Sequence, residues 1–142
     1  MENNLALIIG NHHTDERGIV NFNNDFDASE IKRIYFIENK NTDIIRAWQG
    51  HKIEKRWFSA VQGSFIIKVI KIDNWDAPSV NLSTEVFTLD SNDLKILLVP
   101  QGYATSIQAL EKKSKLMLMG NYLMGETKDE YRFSPDYFEQ KK

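Results

Sequence analysis

The sequence predicts an all-β domain, and three observations carry that expectation. Short runs rich in aromatic and β-branched residues occupy 34–37 (Ile-Tyr-Phe-Ile), 56–61, 64–72 and 84–89, with the composition and length of strands. Turn-forming residues punctuate the chain at short intervals, at 23–25, 39–43, 62–63, 73–78, 90–93 and 100–102. Only 27–32 and the tail after Gly125 read as helical. Many short strands with regular turn signals argue for a sandwich or barrel. The 142 residues carry no repeat, low-complexity tract or linker, so 1–142 reads as one domain, long enough to bury a core without staples.

In chain order, the apolar stretch 5–9 reads as a first strand, and the His12-His13 pair as part of a loop. Residues 46–58 carry an extended segment that closes at Gly63, the glycine of a hairpin turn. Trp48 and Trp57 read as core, and Lys52 and Lys55 as solvated strand residues. Trp75, beside Asp76 and Pro78, suits a cap over a core edge or a contact with a second copy. Residues 116–119 (Leu-Met-Leu-Met) follow a Lys-rich turn and precede Gly120, which favours a last core strand over a helix.

Composition bounds the function. There is no cysteine, which removes disulfides, thiolate chemistry and sulfur-ligated zinc, and suits a reducing cytoplasm. No apolar run is long enough to span a bilayer, and the start lacks the basic stretch and apolar core of a signal peptide. A net charge of −2 gives no general attraction to nucleic acid or anionic lipid.

Chemistry concentrates in 46–58. Residues two apart on a strand share a face, so Gln49 and His51 point the same way. A histidine beside a neutral amide, facing a barrel interior, can act as a general base near pH 7. The same residue could equally be a hydrogen-bonded interior histidine with no catalytic role. Tyr103, Tyr122 and Tyr131 stay open between core filling and site roles, since a tyrosine in a β-rich chain can simply fill core with its hydroxyl satisfied.

These motifs together resemble the cupins, and among them the WxcM-like TDP-4-keto-6-deoxyhexose 3,4-ketoisomerases and 3,5-epimerases. Asp15-Glu16-Arg17-Gly18 resembles their Asp-x-Arg-Gly signature, and Arg46 with Gln49 and His51 their His-x-His strand. Residues 61–64 resemble the hairpin glycine, 99–110 the Pro-x-Gly-Phe/Tyr-Ala stretch, and 129–133 the ending of the ketoisomerase branch. The likeness runs from about residue 13 to 138. It implies a jelly-roll barrel with a short helical or irregular C-terminal tail, acting on a nucleotide-linked keto sugar in deoxysugar and surface-polysaccharide synthesis. On the family pattern His51 is the base or acid, with Tyr122 or Tyr131 the proton donor. Arg17, Arg46 and Arg56 are then phosphate or enolate contacts and Tyr103 a sugar or base platform. Gln49 and Thr105 stand where the family carries histidines, and Arg56 where a metal-binding glutamate belongs. A guanidinium there repels a divalent metal, so no metal and no cofactor are expected. The resemblance also implies a homodimer, with 5–9 joining the partner's sheet. The alternative is a sugar-nucleotide-binding or partner-binding cupin without catalysis.

Overall fold

The computed structural model describes residues 4–139; residues 1–3, part of the start compared above with a signal peptide, lie outside them. Twelve strands form among the described residues: β1 (Ala6–Ile8), β2 (Asn11–Asp15), β3 (Gly18–Phe22), β4 (Arg33–Ile37), β5 (Ile45–His51), β6 (Arg56–Gln62), β7 (Ser64–Lys71), β8 (Thr84–Asp90), β9 (Ile96–Val99), β10 (Tyr103–Ala109), β11 (Lys115–Gly120) and β12 (Glu130–Arg132). One five-stranded sheet runs β1-β9-β6-β11-β4 and the other β12-β5-β10-β7-β8, while β2 and β3 make a separate hairpin. All pairings are antiparallel.

Alternation explains how the two sheets face each other. On β4, Arg33, Tyr35 and Ile37 turn inward while Ile34 and Phe36 stay exposed. Phe58, Phe65, Ile67, Leu97, Leu116 and Leu118 meet between the sheets, all fully buried. The β6–β7 turn passes through Gly63 at φ +71°, where an added Cβ would lie 2.1 Å from the Ser114 hydroxyl. Only glycine fits that turn without strain.

Outside each sheet lies a smaller apolar layer. Segment 23–32 drops Phe26 and Ile31 against Trp57, Ile96, Leu98 and Met119 on the first sheet. The tail folds behind the second, where Trp48 meets the Phe138 ring edge-on at 5.3 Å.

Several expectations need correcting. Residues 27–32 are not helical: the Asp27 carboxylate accepts from the Ser29 amide in a short turn, and the Lys32 amide pairs with the Gly120 carbonyl. The tail extends sheet pairing instead of coiling, because Phe133 exchanges both backbone hydrogen bonds with Trp48; a single 3-10 turn, Tyr137–Glu139, ends it. His12 and His13 lie on strand β2 rather than in a loop. Residues 115–120 do form the last core strand, inside the first sheet between β6 and β4. Strand β1 pairs with β9 of its own chain and forms an edge of the first sheet. Lys55 is buried, 2.8 Å from the Glu30 carboxylate, rather than solvated.

Candidate active site

The two sheets part between β4, an edge of the first, and β12, an edge of the second. Segment 121–129 bridges this gap, and a cavity of about 1140 Å³ opens beneath it. The volume lies at the upper end of ordinary ligand cavities. Strand β5 supplies Gln49 and His51 on one face. On the other, Gly50 lets the Trp75 indole approach so closely that an added Cβ would lie 2.6 Å from it. Trp75 therefore caps the outside of β5, as a core-edge cap should.

His51 is the most unusual group in the cavity wall. It is 8% exposed, and neither ring nitrogen has a hydrogen-bond partner among the described residues. Each such unpaired buried nitrogen costs about 1–3 kcal/mol. Burial pushes the imidazole down from 6.5 to about 3, helped by the charges of Arg56, Arg33 and Arg132. Two carboxylates, Glu54 and Asp129, stand 3.6 Å from Nδ1 and favour the imidazolium. Both are already committed: Glu54 to the Arg33 guanidinium at 3.2 Å, Asp129 to the amides of Lys52, Ile53 and Glu54 at 2.7–3.0 Å. Desolvation therefore prevails, and the ring is neutral near pH 7.

Arg56 lies behind this wall, 2% exposed. Its guanidinium donates to the Thr105 hydroxyl at 3.1 Å and the Tyr35 hydroxyl at 3.3 Å. No carboxylate of the described residues forms an ion pair with it. A buried cation without a counter-charge is costly, and it draws electron density from the two hydroxyls, which line the cavity. Tyr35 accepts from Arg56 and keeps its own proton free to donate; Arg33 stacks over its ring at 4.8 Å.

The cavity gathers six of the residues expected from sequence: His51, Gln49, Arg46, Thr105, Tyr122 and Tyr131. Tyr131 pairs with Gly50 across β12 and β5, and its ring stacks on Trp75 at 4.7 Å, on the face away from His51. Arg56 lies outside the cavity lining, hydrogen-bonded to Tyr35 and Thr105. Tyr103 packs against the main core, and burial raises its phenol above the usual range. Arg17 sits at the tip of the β2–β3 hairpin, exposed and paired with Asp15 at 2.7 Å, outside the cavity lining.

Sequence reasoning passed over Arg33, Tyr35, Glu54, Asp129 and Glu130. Tyr35 shares the inward face of β4 with Arg33, two residues away. Asp129 had no readable signal, because its partners lie 75 to 77 residues earlier.

Solved structures match this arrangement over nearly the whole chain. A mutant of the 3,4-ketoisomerase QdtA from Thermoanaerobacterium thermosaccharolyticum, in complex with TDP-4-keto-6-deoxyglucose, aligns at TM-score 0.71 and 21% identity, covering 99% of this chain and 95% of that one. The fold is an RmlC-like cupin. The WlaRB TDP-quinovose 3,4-ketoisomerase from Campylobacter jejuni matches this chain at TM-score 0.67 and 16% identity, with coverage of 98% and 100%. The rmlC epimerase of Mycobacterium tuberculosis matches it at 0.72 and 17%, covering 92% of this chain and 68% of its own. No protein-family model matches the sequence, and no curated protein does. Among the described residues no helix is long and apolar enough to cross a membrane.

Proposed function

We propose that this cupin is a TDP-sugar isomerase or epimerase acting on a 4-keto-6-deoxyhexose, with His51 as proton acceptor. The observation that carries the reading is His51 itself: buried, neutral and unpaired, in a cavity large enough for a nucleotide sugar. Complexes of similar structures with TDP-4-keto-6-deoxyglucose and TDP support the substrate class. In this scheme a proton leaves the carbon beside the keto group for His51. Tyr35 and Thr105, polarised by Arg56, hold the developing enolate oxygen. Arg46, whose guanidinium donates to the neutral Asn39 amide, and Lys128, in the segment over the cavity, offer cations for the diphosphate. The proton transfer is metal-independent in this reading: a single imidazole faces the cavity, with Arg56 behind its wall.

A binding cupin without catalysis is the second reading, favoured by Gln49, which cannot take up a proton at neutral pH. Incubation with TDP-4-keto-6-deoxyglucose in deuterated water separates the two. Deuterium at a sugar carbon with the parent protein, absent with His51→Ala, supports the enzyme. Binding without exchange in the parent protein selects the second reading.

We also propose a homodimer. Ile34 and Phe36, 57% and 54% exposed on the outer face of edge strand β4, offer an apolar surface to a second copy.

A further inference from the structure

The family's paired histidines leave one question in this chain: what replaces the second proton-transfer group at Gln49. Strand β12 answers it. Its register sets Glu130 opposite His51 and Arg132 opposite Gln49. Directly opposed residues on antiparallel strands project to the same face with Cβ atoms about 5 Å apart. Glu130 and His51 both line the cavity. The Gln49 amide donates to Glu130 Oε2 at 2.6 Å, and Arg132 donates to the same oxygen at 2.6 Å. Oε1 accepts from none of the described residues. A surface Glu–Arg pair two residues apart would contribute little. Here a third side chain, on the neighbouring strand, fixes the carboxylate beside the unpaired imidazole.

We infer that Glu130 is the second proton-transfer group of this cavity, carrying a hydroxyl proton of the sugar while His51 carries the proton of the adjoining carbon. The inference rests on the sugar-nucleotide reading of the same cavity and narrows it to keto–hydroxyl exchange. His51 takes the proton of the hydroxyl-bearing carbon next to the carbonyl. The C–H electron pair becomes the C=C bond of an enediolate, and the carbonyl pair moves onto oxygen. Glu130 accepts the hydroxyl proton and delivers it to that oxygen, leaving the negative charge where the proton came from. That charge forms the new carbonyl, and the C=C pair recovers the proton from the His51 imidazolium at the former carbonyl carbon. Both side chains end as they began, and no electron carrier is consumed. Gln49 then has a positioning role, holding the carboxylate by one oxygen and leaving the other for the substrate.

The test follows two signals separately in deuterated water with TDP-4-keto-6-deoxyglucose: deuterium entry at carbon, and appearance of the 3-keto isomer. Glu130→Gln is expected to keep deuterium entry while isomer formation falls by about 100-fold, the usual scale for losing one acid–base group. His51→Asn is expected to lose both signals. TDP affinity by calorimetry should stay within about threefold in each variant, since neither group serves the nucleotide. Formate should restore isomer formation to Glu130→Ala, because the carboxylate is 52% exposed at the cavity mouth, whereas a merely structural loss is not rescued. An active parent with unimpaired Glu130→Gln, equal loss of both signals in that variant, or failure of formate rescue overturns the assignment alone. A parent that binds TDP and shows neither signal overturns the isomerase reading, and this assignment with it.

Discussion

His51 is held in a state its own chemistry resists. Unfolded, an imidazole titrates near 6.5; in the fold this one titrates near 3. Between those values the unfolded chain binds a proton that the folded chain refuses, so stability falls as pH drops through that window and is fully present above 6.5. Acidification from pH 7 to 5 should cost the parent about 2 kcal/mol more than His51→Asn, from the same shift. Urea midpoints of both proteins at the two pH values check this; parallel losses would show that the ring is protonated in the fold. The residue itself was legible in the sequence, because spacing of two placed it on Gln49's face. Its neutrality was not. That follows from burial and from three arginines, all of them on other strands, which no local pattern announces. Tyr35 escaped for a different reason: in a short Ile-Tyr-Phe-Ile run every side chain looks like core.

At the scale of elements, Asp129 is the joint on which the site depends. It satisfies the amides of Lys52, Ile53 and Glu54 and stands next to Glu130, where β12 begins. Asp129→Ala leaves these donors unpaired and should destabilise by about 3 kcal/mol, as expected for charge-assisted hydrogen bonds at a buried site. Denaturant unfolding measures that loss. Hydrogen exchange should show the β12 amides losing protection while those of β7 keep theirs; unchanged β12 protection would mean that the strand is held by its ladder alone. Strands were the readable part of this chain, since alternation and turn residues are local signals. Residues 27–32 misled because their polar–apolar spacing fits a helix, whereas Phe26 and Ile31 are drawn down onto Trp57 by packing. Lys55 misled because the glutamate that permits its burial lies 25 residues earlier.

For the whole molecule, the outer face of the first sheet is the open question of assembly. Ile34 and Phe36 stand exposed on β4, two residues apart on one face of the strand. Light scattering should give about twice the 16.5 kDa chain mass for the parent, and the single mass for Phe36→Asp. A monomeric parent removes the dimer and leaves the cavity argument intact. The all-β class was legible from strand runs and punctuation, and the jelly-roll plan only through the resemblance of the motifs to a known family. The partner of β1 was not, because an apolar edge strand reads the same whether its neighbour comes from its own chain or another.

The segment over the cavity is tied at both ends to the same short stretch of backbone. Asn121 exchanges hydrogen bonds with Lys55 through its side-chain oxygen and its amide, and Asp129 grips 52–54. Between these two knots the chain turns at Gly125, at φ +78°, where an added Cβ would meet nothing within 4 Å. Such a loop is a replaceable part. Doubling its length would cost only about 0.6 kcal/mol in closure entropy, and neither knot would move. Insertions at Gly125 are therefore the natural place for an engineer, or for descent with modification, to resize the roof over the sugar while His51, Tyr35 and Glu130 stay where they are.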